Sequence, residues 1–405
     1  MKKLGIVCGG GPAPGINSVI RAVVIEAKNR NLEVIGFLDG FYHLSKNKIV
    51  YKNLEIEDVS RIHYYGGSII GTSRGNSSEE EVLNTYLSLI NSGISYLVSI
   101  GGDGTASMIY KISKLDKDKK IKFAHIPKTI DNDFPLPPSS RTFGFETARN
   151  LGMELVLNLM EDARTLKRWF FVQVMGRSSG HLALGIGKSS GATLTIIPEE
   201  FQNYKKIPLR LLVDILEGSI IKRLAYDKPY GVAILAEGLS LKLENLSLEH
   251  YHSISEFPLA ELLANEVENR LKKRNINIRI IPQNIGYVLR NAKPIAFDIA
   301  YTITLGYGAV KFLLSENNFH CTVITLKGEK IEPIDINEFV ENDKVKIRFV
   351  DLKGEVYEAA YHYMIRLKKE DFENEEFLLK LCEIAKMEKE EFIKNFKWTT
   401  EFPPI

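Results

Sequence analysis

The chain has 405 residues, 44% of them hydrophobic, enough for a sizeable core and two or three domains. Lys and Arg number 53 against 51 Asp and Glu, a formal charge of +2, so bulk charge gives no reason to expect nucleic acid or an anionic membrane as partner, and any anion site must be local. Cys8, Cys321 and Cys382 lie far apart without CxxC or Cys/His metal spacing, which suits a reducing cytoplasm and small buried hydrophobes.

The opening MKKLGIVCGGG has a basic start, but its apolar run is too short for an export signal and reads as a first β-strand. Then LGIVCGGGPAPGINSVIRAVVIEAKNR predicts strand, loop and helix, LEVIGFLDG a second strand, SYLVSIGGDGTASMIYKISKL the same unit again, and IKFAHIPKT another strand. Runs this apolar, alternating with helical patterns, imply a parallel sheet covered on both faces. A helix is expected at roughly 142–160, after which RWFFVQVMG, GATLTIIPEE, YGVAILAEG and NIRIIPQNIGYVLR supply a second set of strands. PLAELLANEVENRLKKRN reads as the helix before the last of these. The expectation is therefore an α/β protein with two doubly wound parallel-sheet domains: residues 1–140, completed by about 290–314, and residues 141–289. Residues 315–405, strand-like at HCTVITLKGEKIEPI and KVKIRFVDL and helical at FLLKLCEIAKMEKEEFIKNF, read as an accessory extension without visible chemistry.

In open parallel sheets the ligand site forms beyond the carboxyl ends of the strands, so the polar turns carry the chemistry. CGGGPAPGIN lies between a strand and a helix and is shaped for phosphate, or is a simple tight turn; it lacks the Walker lysine. GGDGT repeats that arrangement, with Asp103 placed either to hold Mg²⁺ with phosphate oxygens or to cap the following helix. TSRG follows the apolar GGSII and puts Arg74 at the end of a strand, where it can pair with phosphate or be a lone surface arginine. IPKTIDNDFPLPP is the densest: Lys128 is a point charge for phosphate, Thr129 a further donor, and Asp131 and Asp133 are carboxylates at i and i+2 that cannot face one way in an extended turn. Phosphoryl transfer needs an in-line hydroxyl, a carboxylate to accept its proton, and cations around the equatorial oxygens. Asp131 suits the base; an exposed Asx-turn is the bland alternative.

With GGDGT and PKTIDND in this order, about 25 residues apart, and with GGGPAPGIN, GTSRG, GFETA, VMGRSSGHLA, ILAEG and GYVLRNAKP, the chain resembles the 6-phosphofructokinase family. The resemblance covers roughly residues 1–314. It implies an active site in a cleft between two α/β domains and phosphate transfer from ATP or pyrophosphate to the 1-hydroxyl of fructose 6-phosphate. By position it implies that Gly11, Arg74, Gly75, Gly102, Gly104 and Thr105 hold the donor, that Asp103 holds Mg²⁺ and that Asp131 is the base. Thr129 and Ile130 in the acidic turn, with Met175, Gly176 and Arg177, would contact the sugar phosphate and the transferring group. Glu237 would accept sugar hydroxyls, while Tyr287 and Arg290 would contact the far end of the sugar phosphate. Arg168 matches a position that reaches the 6-phosphate of a neighbouring subunit, implying a homo-oligomer, dimer or tetramer. The second phosphate-binding basic residue is out of register: Ile281 stands at its place, with Arg279 nearby.

Two positions bear on the donor. Gly104 is of the type in ATP users, leaving room for an α-phosphate; Lys128 is of the type in pyrophosphate users. Weighing sterics above an extra cation, the expectation is ATP, as in the trypanosomal-type members that carry both, with pyrophosphate the alternative. NAD kinases and diacylglycerol-type kinases share GGDGT but lack PKTIDND and MGR, a DxD nucleotide-sugar transferase would not carry the upstream GGDGT turn, and a catalytically inactive sugar-phosphate sensor of the same fold is the rival from another class.

Overall fold

The computed structural model describes residues 2–73, 78–138, 140–247, 249–316 and 319–403. The chain forms two units, Met1–Ala148 with Val288–Arg348, and Arg149–Tyr287 with Phe349–Ile405. The strands of their sheets are, in chain order, β1 (Lys3–Cys8), β2 (Glu33–Phe37), β3 (Tyr51–Asn53), β4 (Tyr96–Gly101), β5 (Lys122–Pro127), β6 (Trp169–Val174), β7 (Leu194–Ile196), β8 (Gly231–Ala236), β9 (Ile280–Ile285), β10 (Cys321–Lys327) and β11 (Lys330–Asp335).

The first unit holds a sheet of order β11-β10-β5-β4-β1-β2-β3. Its five inner strands are parallel, and its edge strands β3 and β11 are antiparallel. Alternate residues of β1 enter opposite cores: Leu4, Ile6 and Cys8 join the helices Ile16–Asn29 and Ala296–Leu314, whereas Val7 joins the layer with Met108, Ile109 and Leu89. Helix Ala296–Leu314 is long and apolar enough to cross a membrane by length and composition. Here it is a core helix, its Gly306 set so close to Ile16–Asn29 that a Cβ would lie 2.6 Å from that of Ala22.

In the second unit the order is β7-β8-β6-β9, all parallel. Helix Leu209–Ala225 is buried on nearly every side, which one sheet face cannot achieve. Its Ile221 and Ala225 meet Leu378, Leu381, Phe392 and Phe396 from the helices Glu375–Ala385 and Lys389–Phe396.

Residues 315–405 therefore divide between the units instead of forming a separate extension. β10 extends the first sheet by pairing Cys321 with Phe123, and the final helices cover Leu209–Ala225. Other local readings shift too. GGSII is not a strand; only Ser73 bridges to Gly9. The helix expected at 142–160 runs Phe145–Leu166, KVKIRFVDL keeps only the short strand Lys344–Val345, and the charged C-terminal helix is broken at Lys386, whose φ is +52°. All three cysteines are free and buried, as the spacing predicts.

Candidate active site

Strand order places the first unit's turns. The chain leaves β1 for β2 on one side and β4 on the other, so the turns after β1 and β4 flank a topological switch point. Gly9 N donates to Ile100 O at 2.8 Å and Gly10 N to Ser73 O at 2.8 Å, fixing the first turn. Thr105 is packed between two turns: a Cβ at Gly9 would lie 2.4 Å from its Oγ1, and one at Gly101 would overlap its side chain, so both positions require glycine for this approach. Gly102 is the N-cap of helix Asp103–Leu115 and makes no side-chain cap bond. Asp103 is thus the first helical residue and not the cap, at the end where the dipole favours negative charge and anions. A Cβ at Gly104 would meet nothing within 4 Å.

The turn after β5 comes alongside. Lys128 N donates to Gly101 O at 2.9 Å, and its Nζ donates to Gly11 O. Lys128 is only 4% exposed. Burial pushes its ammonium pKa down; Cys8, Asp131 and Asp103 pull it up, while Arg290 adds to the lowering. Gly11, Asp103, Lys128, Asp131 and Arg290 therefore share one locality, and a side chain at Gly11 would overlap the Arg290 guanidinium. Arg290, read as a sugar-phosphate contact, lies with the donor turn.

Thr129 Oγ1 accepts from Asp131 N at 3.0 Å and donates to Asp131 Oδ2 at 3.1 Å. Its hydroxyl thus orients the carboxylate. Ile130 is buried. The two acids diverge, as i and i+2 in a turn require: Asp131 acts on Lys128, and Asp133 on Arg348. Arg74 and Gly75 lie outside the described residues.

The second unit carries its own cluster beyond β6, β8 and β9. Gly176 N and Arg177 N both donate to Glu237 Oε1, at 3.0 and 2.6 Å, and Arg177 adopts φ +55°. Glu237, 1% exposed, has its pKa raised by burial, opposed by the Ser255 hydroxyl, these two amides and the Arg177 charge. One oxygen of the carboxylate expected to meet sugar hydroxyls thus holds the MGR turn. Met175 is buried and its Cε would lie 3.2 Å from a Cβ at Gly286, beside Tyr287, which is 55% exposed. Arg168 pairs with Asp162 of its own chain, its Nε 2.6 Å from Oδ1, and Arg279 pairs with Glu268 at 3.3 Å.

Sequence reasoning missed three positions. Glu199 accepts from Gly180 N at 2.9 Å and Val350 N at 3.0 Å, with burial raising its pKa. Asp298 accepts from Gly144 N at 2.9 Å and Thr147 N at 2.8 Å, holding the start of GFETA. Arg348 serves the acidic turn. Of the three, Asp298 stands out as a lone acid in the apolar PIAFDIAYT, whereas Glu199 sits beside Glu200 and Arg348 follows Lys344 and Lys346, so neither of those carried such a signal.

Glycine turns at a switch point, with buried lysine and aspartates beside them, define a doubly wound α/β phosphotransferase. A family model described as phosphofructokinase matches residues 3–313, and the chain belongs to the phosphofructokinase family. A Thermotoga maritima relative named pyrophosphate–fructose 6-phosphate 1-phosphotransferase is 49% identical, covering 99% of this chain and 100% of its own. One of the same name from Naegleria fowleri is 43% identical over 98% and 96%. A Sulfurihydrogenibium ATP-dependent 6-phosphofructokinase is 34% identical over 79% and 89%. Among solved structures, Pichia pastoris phosphofructokinase in the T-state superposes with a TM-score of 0.69 at 22% identity, over 98% of this chain but 39% of that longer one. Pyrophosphate-dependent phosphofructokinase from Marinobacter aquaeolei gives 0.68 at 19% identity, over 95% and 92%; both likenesses are of fold.

Proposed function

We propose that this chain transfers a phosphoryl group from pyrophosphate to the 1-hydroxyl of fructose 6-phosphate, giving fructose 1,6-bisphosphate and orthophosphate. The observation that carries the donor is Lys128, an ammonium held at 4% exposure against Gly11 O. Removing such a charge from water is costly unless charged partners recover the loss; Asp131 and Asp103 recover part of it, and a compact, highly charged diphosphate would add to them. The relatives at 49% and 43% identity, aligned over nearly the whole chain, bear the pyrophosphate name, and the ATP name comes at 34%.

ATP remains the second reading because of Gly104, where a side chain would meet nothing within 4 Å. By sterics alone that openness ranks above the extra cation of Lys128. Open space permits a nucleoside without binding it, and the relatives at 49% and 43% identity bear the pyrophosphate name, so the order is reversed.

In this reading Lys128 and Arg290 bind donor phosphate, and Asp131, oriented by Thr129, accepts the hydroxyl proton as O1 attacks phosphorus and the bridging P–O bond breaks. Met175, Gly176 and Arg177 bind the sugar phosphate, with Glu237 holding their turn. Mg²⁺ is usually held by one or two carboxylates together with substrate phosphates, and Asp103 would hold it here. When bound, the ion neutralises phosphate charge. Three reduced cysteines accord with a cytoplasmic enzyme.

The test is purified protein with fructose 6-phosphate and Mg²⁺, given pyrophosphate or ATP side by side, with fructose 1,6-bisphosphate as readout. We expect kcat/KM to favour pyrophosphate by more than ~10-fold. Preference for ATP overturns the donor assignment, and no turnover with either favours the inactive sensor.

A further inference from the structure

The segment that reads as an accessory tail reaches the acidic turn through Arg348, which lies beyond the residues 3–313 of the family match and ends the first unit. Its Nε and Nη2 donate to Asn132 O at 3.1 and 2.9 Å, and Nη2 also reaches Asn132 Oδ1. Nη1 donates to Ser140 O at 3.0 Å and Leu136 O at 3.4 Å, and the Arg348 amide donates to Asp133 O at 2.7 Å.

Residues 132–138 include three prolines and, with Ser140, form no regular ladder, so their carbonyls need partners from outside. A planar five-donor guanidinium meets several oxygens at once; an ammonium cannot span the same set. Asn132 holds φ +55°, a left-handed conformation that non-glycine residues seldom adopt. Asn132 stands between the two aspartates, so its conformation sets where the carboxylate on either side points.

We propose that Arg348 is a positioning residue for phosphoryl transfer: by clamping Asn132 and the carbonyls beyond it, it aims the Asp131 carboxylate, which makes the tail a working part of the active site. The inference rests on the reading of Asp131 as the proton acceptor. A clamp that only stabilised the loop would change resistance to unfolding and leave turnover of the folded enzyme intact.

The experiment compares full-length wild type, Arg348→Ala, Arg348→Lys, Asp131→Asn and the double variant Asp131→Asn/Arg348→Ala. It measures kcat and KM for fructose 6-phosphate with pyrophosphate and Mg²⁺, together with thermal unfolding. Arg348→Ala should lower kcat by ~100-fold, the cost of a misplacement of about 1 Å, with KM changed less than about threefold. Arg348→Lys should restore little of this. Because Arg348 acts through Asp131, the double variant should lose no more turnover than Asp131→Asn alone. A folded Arg348→Ala with unchanged kcat, or losses that multiply in the double variant, overturns the proposal. If Arg348→Ala does not fold, Arg348→Lys carries the test: kcat reduced at least about tenfold supports the proposal, and unchanged kcat overturns it. Asp131→Asn retaining full turnover sinks the underlying reading instead, so the two failures are told apart.

Discussion

His125 is fully buried in β5, its Nδ1 2.9 Å from Ser99 Oγ and its ring against Phe134. Burial lowers its pKa from 6.5 to about 3, with a Gly101 backbone bond opposing and the Lys128 charge reinforcing the shift. The folded state thus holds neutral imidazole, while the unfolded chain takes up a proton as pH falls below 6.5. That stability is present above the unfolded value and is lost as pH falls toward about 3. Between pH 7 and 5 the wild type should lose about 2 kcal/mol more in urea-unfolding stability than His125→Phe. Equal losses in both would dismiss His125 as the acid-sensitive group. At this scale residue types were legible and roles only partly so: Lys128 and Asp131 announce charge, but Thr129, Thr105 and Glu237 take their roles from which backbone atoms the turns present.

Among elements, the buried Glu200–Arg366 ion pair does for the second unit what β10 does for the first. Arg366 is 2% exposed, donates to Glu200 Oε2, and reaches Phe402 O at 3.2 Å. Burial is the largest influence and lowers its pKa, yet the Glu200 charge and hydrogen bond, together with Tyr357 and Tyr361, raise it overall. Glu200→Gln leaves an uncompensated buried guanidinium and should cost about 3–5 kcal/mol in denaturant unfolding. A change under about 1 kcal/mol would mean that the pair contributes little. The parallel strands and their helices were readable because each is a continuous apolar run between glycine turns. The destination of the tail was not: nothing in HCTVITLKGEKIEPI says that β5 has a vacant edge, and the all-round burial of Leu209–Ala225 only then asks for a cover.

For the whole molecule, each unit is assembled from separated stretches, and the matched region 3–313 ends before either is complete. A chain ending at Leu314 lacks β10 and the helices over Leu209–Ala225, exposing a sheet edge and an apolar helix face. Such a truncation should aggregate, as read by size-exclusion chromatography and loss of near-ultraviolet dichroism; a monodisperse folded product would show the tail to be dispensable.

The closing of the first sheet by its last strands also dictates a timetable. β5 ends at Pro127 and its neighbour β10 begins at Cys321, so a ribosome working at about 5–20 residues per second keeps the nascent sheet waiting roughly 10–40 s for its partner. Throughout that interval the β5 edge is open to other chains. An unpaired edge of that kind is a template for pairing with other chains until the last strands are made.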